Sequence, residues 1–134
     1  IKLEVHCEPN LPKIHADEQK LKQVFINLIL NAVDVLPPGG QIQIHVQKDK
    51  LPGYVLVSVY DNGPGIPEHV QSRIFEPFFT TKAKSKGTGL GLSVSRGIIK
   101  HLGGNIYFKS SPETGTTFMV SLPAIDSPSE IMSK

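Results

Sequence analysis

Two asparagines, Asn27 and Asn31, lie four residues apart within the apolar segment FINLILNAVDVL. Asparagine is a poor residue for a helix interior, because its amide competes for backbone hydrogen bonds and costs free energy when buried without partners. On a helix the two amides project from one face. Their carbonyl oxygens suit Mg²⁺, whose remaining ligands would be water and phosphate. Each amide could equally cap a loop or pair with a neighbouring strand.

A second candidate site, DNGPGIP at residues 61 to 67, directly follows the apolar run YVLVSVY. A carboxylate at a strand end, such as that of Asp61, can accept a hydrogen bond from an exocyclic amine. Gly63 and Gly65 would let a flat ring approach the backbone, because neither carries a Cβ. The same residues also fit a tight Asp-Asn-Gly turn that binds nothing.

A third candidate site is KGTGLGLSVS at residues 86 to 95, which places three glycines at the opening of a predicted helix: Gly87, Gly89 and Gly91. Free backbone N–H groups and the positive end of the helix dipole would suit a phosphate there. Three lysines lead into the segment: Lys82, Lys84 and Lys86. The spacing is neither that of a dinucleotide-binding fingerprint nor that of a P-loop. A solvated, charged loop before a helix is the alternative.

Length and composition predict one domain over residues 1–123, followed by a flexible polar tail at 124–134. The 134 residues are 39% hydrophobic, which is enough for one core. The tail has no apolar face to bury. A net charge of +2 is too small for a nucleic-acid footprint, so we expect no nucleic-acid partner.

The single cysteine, Cys7, excludes an internal disulfide and favours a cytoplasmic location. The chain begins at Ile1 and shows no apolar run long enough to cross a bilayer. We therefore expect a soluble piece of a larger protein.

Hydrophobic periodicity predicts the elements that must position these sites. Strands are predicted at 2–7, 41–48, 54–60, 105–110 and 116–122. Helices are predicted from Asp17, as N-cap, to the PPGG at 37–40, over 67–75, and over 90–104. The strands at 41–48 and 54–60 are expected to be antiparallel neighbours. The order predicts an α/β fold with a sheet covered on one face by about three helices.

Taken together and in order, the segments NLILNA, DNGPGIP, FEPFF, GTGLGL and GTTF resemble the N, G1, F, G2 and G3 boxes of one family. That family is the catalytic, ATP-binding domain of bacterial sensor histidine kinases, within the Bergerat-fold superfamily that includes gyrase B, Hsp90 and MutL. The resemblance covers residues 3 to 123 and is most similar to the nitrogen-regulator type. It implies a two-layer α/β sandwich with a mixed, mostly antiparallel sheet and a mobile ATP lid.

The resemblance also implies roles for individual residues. Asn31 matches the Mg²⁺-binding residue, and Asn27 lies one turn before it, close to the same ion. Asp61 matches the residue that reads adenine, and Thr116 the one that reaches adenine through water. The adenine floor is implied to be Gly63, Gly65 and Ile66. The segment at the phosphates is implied to be Gly87, Thr88, Gly89, Leu90, Gly91 and Leu92, and the lid residues 80–89.

One departure from the family pattern concerns phosphate charge. Many members carry Lys or Arg where this chain has Asp34. Lys82 or Lys86 is the candidate replacement.

A second comparison concerns hydrolysis. The ATP-hydrolysing clamp proteins carry a general-base Glu at the position of Asn27. An amide cannot take a proton from water, so autonomous hydrolysis should be slow.

The implied function is binding of Mg²⁺ and ATP and donation of the γ-phosphoryl group to a histidine. That histidine would lie on a dimerisation and histidine-phosphotransfer domain outside this chain, through which a response regulator is reached. The fragment is expected to be a monomer, and its parent kinase could be membrane-anchored. The region of Phe75, Phe78 and Phe79 is expected to dock on the acceptor domain or to pack in the core. A serine kinase of the anti-sigma-factor type and a non-transferring ATP-sensing module remain alternatives.

Overall fold

The computed structural model describes residues 1–77 and 91–124. Its single sheet has five strands: β1 Lys2–Cys7, β2 Gln41–Lys48, β3 Tyr54–Asp61, β4 Asn105–Ser111 and β5 Gly115–Pro123. The order across the sheet is β1-β2-β3-β5-β4. β1 runs parallel to β2, and the other neighbouring pairs are antiparallel. The predicted mixed, mostly antiparallel sheet is therefore confirmed.

Two α-helices and one 3₁₀ segment accompany this sheet in the described residues: α1 Glu18–Val35, α2 Gly91–His101 and the 3₁₀ segment Glu68–Arg73. The predicted N-cap of α1 is confirmed, because Asp17 Oδ1 accepts hydrogen bonds from Gln19 N at 3.0 Å and Lys20 N at 3.2 Å. The helix ends at Val35, and its C-cap residue Leu36 lies directly before the PPGG segment. The short helix predicted over 67–75 is the 3₁₀ segment, which begins after Pro67.

The core lies between the helices and one face of the sheet. Alternate residues of the two central strands are buried on that face: Val55, Val57 and Val59 of β3, and Phe118, Val120 and Leu122 of β5. All of these except Val55 form one apolar cluster with Val24 and Leu28 of α1 and Ile99 of α2. Asp61 continues the alternation of β3, so its carboxyl group lies on the core side of the sheet.

β1 is more exposed than its alternating sequence predicts. Leu3 and Val5 are 52% and 61% exposed. As an edge strand, β1 has a neighbour on one side only, and sequence periodicity does not reveal which strand is at an edge. Among the described residues no helix has the length and hydropathy to cross a membrane.

The loop after β3 packs directly on the turn between β4 and β5. Gly65 has a φ of +81°, and a Cβ built on it would lie 2.6 Å from the carbonyl oxygen of Ser111. Gly115, at the start of β5, has a φ of +89°, and a Cβ there would collide with the carbonyl oxygen of Asp61. Both positions require glycine for their backbone angle and for space.

Gly65→Ala should therefore lower the free energy of unfolding more than Gly39→Ala, measured by urea denaturation. Gly39 has a similar φ of +83° but nothing within 4 Å of its Cβ position. The stability loss in Gly39→Ala therefore reports the backbone strain alone, which is about 1–2 kcal/mol. The clash at Gly65 should add about 1–3 kcal/mol. Gly97→Ala, in open space on α2, should stabilise by about 0.5–1 kcal/mol. Equal losses at Gly65 and Gly39 would contradict the packing of this loop.

Candidate functional site

Asp61, the last residue of β3, is 5% exposed. Its Oδ1 accepts a hydrogen bond from the backbone N–H of Gly63 at 2.9 Å. Burial raises the pKa of the Asp61 carboxyl group, and the Gly63 N–H opposes that shift. Among the described residues Oδ2 has no hydrogen-bond partner, whereas every fully shielded side-chain oxygen or nitrogen has one. An ionised carboxylate oxygen accepts hydrogen bonds, so Oδ2 can accept one from a ligand.

The backbone of Gly63 lies between this carboxyl group and the end of α1. A Cβ built on Gly63 would lie 2.9 Å from Asp61 Oδ1 and 3.4 Å from side-chain carbons of Val35 and Leu36. A larger residue would therefore push against the carboxyl group. Ile66, three residues further on, packs against the edge of the core. Of the three predicted floor residues, Gly63 lies directly beside the Asp61 carboxyl group, and the adenine role of Gly63, Gly65 and Ile66 stays a prediction.

Two hydroxyl groups connect this floor to the β4–β5 hairpin. Ser110 Oγ accepts a hydrogen bond from the N–H of Ile66 at 2.7 Å and lies 2.8 Å from Thr116 Oγ1. Thr116 is 5% exposed and pairs with Asp61 across β3 and β5. The structure therefore places Thr116 opposite Asp61, and the adenine roles of the two residues stay predictions. The sequence analysis did not predict Ser110. The signal that could have indicated it is a hydroxyl residue in KSSPETGTTF on β4, opposite Thr116 on β5.

Asn27 lies against the first turn of α2. Its Nδ2 lies 3.5 Å from the carbonyl oxygen of Gly91 and donates to Ser95 Oγ at 3.3 Å. Among the described residues its Oδ1 has no hydrogen-bond partner, and an amide oxygen of this kind can bind a cation or water. Asn31 is half-buried one turn further along α1. The fully buried Ser95 was also missed, although it lies one turn after Gly91 in GLGLSVS.

Helix α1 links the carboxylate end of the site to the amide end. With a rise of 1.5 Å per residue, Asn31 lies about 6 Å and Asn27 about 12 Å along the axis from Val35, which adjoins the glycine floor. The amides project from nearly the same side of the helix. The described part of the site is therefore elongated. The carboxyl group of Asp61 and the hydroxyl group of Thr116 lie at one end, and the α1 amides extend to the first turn of α2 at the other.

Several predicted residues lie outside the described part of the chain: Lys82, Lys86, Gly87, Thr88, Gly89 and Leu90, together with the rest of the predicted lid and Phe78 and Phe79. Gly91 and Leu92 form the first turn of α2. Phe75 packs against Phe108 and Phe118, with ring centroids 6.1 and 6.4 Å apart, which favours core packing for this aromatic residue.

Within residues 1–77 and 91–124, no group of three or more His, Cys, Asp or Glu side chains is placed to hold a metal ion. A cation bound in this part of the site would rely on neutral amide oxygens, phosphate and water. That set of hard oxygen donors is the kind that Mg²⁺ accepts. The amide pair on α1 therefore fits such an ion.

The sequence matches one family model over residues 16–126, described as histidine kinase-, DNA gyrase B-, and HSP90-like ATPase. Sporulation kinase A of Bacillus subtilis (strain 168) is 52% identical over 110 residues, covering 82% of this chain and 18% of that protein. The sensory histidine kinase/phosphatase NtrB of Azospirillum brasilense is 42% identical over 132 residues, covering 89% and 32%. This chain thus spans less than a third of either relative. The nitrogen-regulator type is one of several similar kinds.

Solved structures agree with this family. The catalytic domain of the histidine kinase ThkA superposes with a TM-score of 0.78 at 38% identity, over 92% of this chain and 78% of that chain. The same kinase, solved in complex with response regulator protein TrrA, gives 0.73 at 35% identity over 92% and 34%. Full-length ShkA in complex with AMPPNP gives 0.79 at 28% identity over 95% and 27%.

These matches, with a buried carboxylate on a glycine floor and an amide pair on the first helix, identify the Bergerat α/β fold. The chain belongs to the histidine kinase-, DNA gyrase B- and HSP90-like ATPase family, as the ATP-binding catalytic domain of a two-component sensor histidine kinase.

Proposed function

We propose that this chain binds ATP together with Mg²⁺ along α1 and donates the γ-phosphoryl group to a histidine on a separate dimerisation domain. The observation that carries this proposal is the buried Asp61 carboxylate beside the end of the helix that bears Asn31 and Asn27; its Oδ2 has no hydrogen-bond partner among the described residues. Such a carboxylate costs free energy in the folded protein, so its presence favours a binding role.

The base of the nucleotide would lie at the Asp61 end. Oδ2 of Asp61 would accept a hydrogen bond from the exocyclic amine of adenine. Gly63 and Gly65 leave the ring free to approach the backbone, and Thr116 lies beside the carboxyl group. The complex of full-length ShkA with the ATP analogue AMPPNP supports adenine nucleotide binding by this fold.

The phosphates would lie where Asn27 meets the first turn of α2. The N-terminal turn of α2 carries backbone N–H groups and the positive end of a helix dipole, both of which favour anions. Asn31 and Asn27 would hold Mg²⁺ through their amide oxygens. When bound, Mg²⁺ neutralises charge on the phosphate oxygens. Lys82 or Lys86 would add positive charge.

The reaction forms a bond between an acceptor imidazole nitrogen and the γ-phosphorus and breaks the bond from that phosphorus to ADP. Its barrier is lowered mainly by positioning the reactants and by stabilising charge. Nothing in this role requires a general base on this chain. The amide of Asn27 cannot act as one, so transfer to water should be slow while transfer to the acceptor is fast.

The wider roles follow from the family. The chain would work within a cytoplasmic region of its parent kinase, and the phosphoryl group would pass from the acceptor histidine to a response regulator. The ThkA structure in complex with response regulator protein TrrA supports such a partner.

The test is to mix this domain with the isolated dimerisation domain of its parent kinase and ATP that is radioactively labelled on the γ-phosphate. We expect Mg²⁺-dependent label on a histidine, lost in acid and retained in base. Label on serine would favour the serine-kinase alternative. Absence of label, with ATP binding intact, would favour an ATP-sensing module without transfer.

The same assay tests the metal role of Asn31. Asn31→Ala should raise the Mg²⁺ concentration needed for half-maximal labelling by about tenfold or more. Asn105→Ala is the matched control, because Asn105 is exposed at the far end of the sheet. An unchanged Mg²⁺ requirement in Asn31→Ala would remove this residue from the metal site.

Asp61→Asn should abolish adenine nucleotide binding and yet stabilise the free protein at neutral pH. Burial raises the pKa of Asp61 in the folded state, so the ionised carboxyl group destabilises the fold once the pH exceeds that pKa. Asparagine removes the charge and can still accept from the Gly63 N–H. Urea denaturation should show the variant more stable at pH 7, with the difference closing as the pH falls through the raised pKa and towards the ordinary value of an aspartate.

Asp17→Asn is the control for this comparison, because asparagine caps a helix about as well as aspartate and the position is exposed. It should change stability by no more than about 0.5 kcal/mol. Retained adenine nucleotide affinity in Asp61→Asn, or lower stability than wild type at pH 7, would contradict the role given to this carboxyl group.

A further inference from the structure

We propose that His6 and His45 form a metal site, separate from the nucleotide site, which binds a divalent transition-metal ion such as Zn²⁺ through two imidazole nitrogens. His6 lies on β1 and His45 on β2, and the parallel register of the two strands places these residues directly opposite each other. Imidazole is a preferred ligand of zinc, copper and nickel ions, whereas Mg²⁺ prefers oxygen. The pair therefore selects a different ion from the amides on α1.

The two imidazole rings lie together on the face of the sheet opposite to the core. Their centroids are 4.8 Å apart, and their planes differ by 18°. Ile44, the neighbour of His45 on β2, packs against the core, so His45 and its register partner point to the other face. The side chain of His6 is 53% exposed, and His45 is half-buried. An ion can therefore reach the pair from solvent.

The neighbours of the rings determine which nitrogen of each ring is available. His6 Nε2 lies 3.3 Å from Glu4 Oε2, and His45 Nε2 lies 3.4 Å from Gln43 Oε1. Carboxylate and amide oxygens can only accept, so each ring donates from Nε2, and a neutral ring then keeps its lone pair on Nδ1. Among the described residues neither Nδ1 has a hydrogen-bond partner. Two nitrogen lone pairs are thus available to one ion.

The same neighbours orient the two rings alike. Glu4 and Gln43 are themselves a register pair of β1 and β2, so both Nε2 atoms face the same end of the strands. A carboxylate behind a metal-bound histidine fixes the ring and raises the basicity of the ligating nitrogen, which is the relation of Glu4 to His6. The other carboxylate oxygen of Glu4 pairs with Lys2 Nζ at 3.3 Å, so the charge of this lysine is balanced beside the site.

The ion would hold two protein ligands and complete its shell with water. Bonds of about 2.0–2.1 Å to imidazole nitrogen require the two Nδ1 atoms to lie within about 4 Å of each other. The ring planes converge by rotation about the Cβ–Cγ bond, which is a soft torsion in histidine. Glu4 acts behind His6 rather than as a third ligand. This agrees with the described residues, in which no three His, Cys, Asp or Glu side chains are placed to hold an ion.

Binding at this pair would stabilise the edge of the sheet. β1 has a neighbouring strand on one side only, and the two histidines come together only when β1 is paired with β2. An ion that binds the folded chain and not the unfolded one raises stability by mass action. The pair therefore acts as a metal-dependent link between the edge strand and the rest of the sheet.

The experiment is a calorimetric titration of ZnCl₂ into the nucleotide-free protein, in a buffer that contains excess Mg²⁺. Wild type should bind one Zn²⁺ per chain at this pair. His6→Ala and His45→Ala should each weaken binding by about tenfold or more, because even the loss of a partner behind a ligand costs about that much. His101→Ala, on α2, and Cys7→Ser, on the opposite face of β1 from His6, should keep the wild-type affinity.

Urea denaturation supplies a readout that a merely structural role would not move. Zn²⁺ should raise the urea midpoint of wild type and leave that of His45→Ala unchanged, whereas a structural loss would lower the midpoint equally with and without Zn²⁺. No Zn²⁺ binding by folded wild type, wild-type affinity in both histidine variants, or a loss of binding in Cys7→Ser would overturn the inference. If the alanine variants fail to fold, His6→Gln and His45→Gln take their place, and the wild-type midpoint still decides.

Discussion

A carboxylate held on the core side of a β-sheet is the constraint on which the site depends. Asp61 occupies the place where the alternation of β3 calls for another apolar residue. The backbone N–H of Gly63 offsets only part of the free energy of burying the charge. The residues around the carboxyl group must leave it space. Gly63 has no side chain to displace the carboxyl group, and Gly115 lets the hairpin backbone lie against Asp61. The fold thus accepts a local loss of stability, as binding sites commonly do.

Helix α1 connects the region of Asp61 to the other end of the site, at the first turn of α2. Its core stripe is fixed by packing against the sheet, and the same packing fixes the direction in which its amides project. Asn27 also contacts Gly91 and Ser95, so the first turn of α2 is joined to the helix that bears the amides. The Asp61 end and the α2 end of the site are therefore joined by one helix. A rigid cradle of this kind suits a reaction in which the protein mainly positions its reactants.

Sequence patterns predicted most of this arrangement and failed where contacts depend on register. Strand alternation and the cap at Asp17 are local signals, and the structure confirms the elements they predict. The Ser110–Thr116 contact joins two strands, so it depends on the length of the turn between them, which no periodicity encodes. The exposure of Leu3 depends on strand order across the whole sheet. The motif set identified the family, whereas the nitrogen-regulator type expected from it is one of several similar kinds of kinase.

The most direct test of the central claim is an NMR titration of the Asp61 carboxyl carbon, in the free protein and with saturating ADP. The account predicts a pKa for Asp61 above the usual range of aspartate in the free protein. It also predicts a fall in that pKa when ADP binds, because a ligand that prefers the ionised carboxylate must, by linkage, stabilise that form. An Asp61 pKa that ADP leaves unchanged or raises would contradict the account.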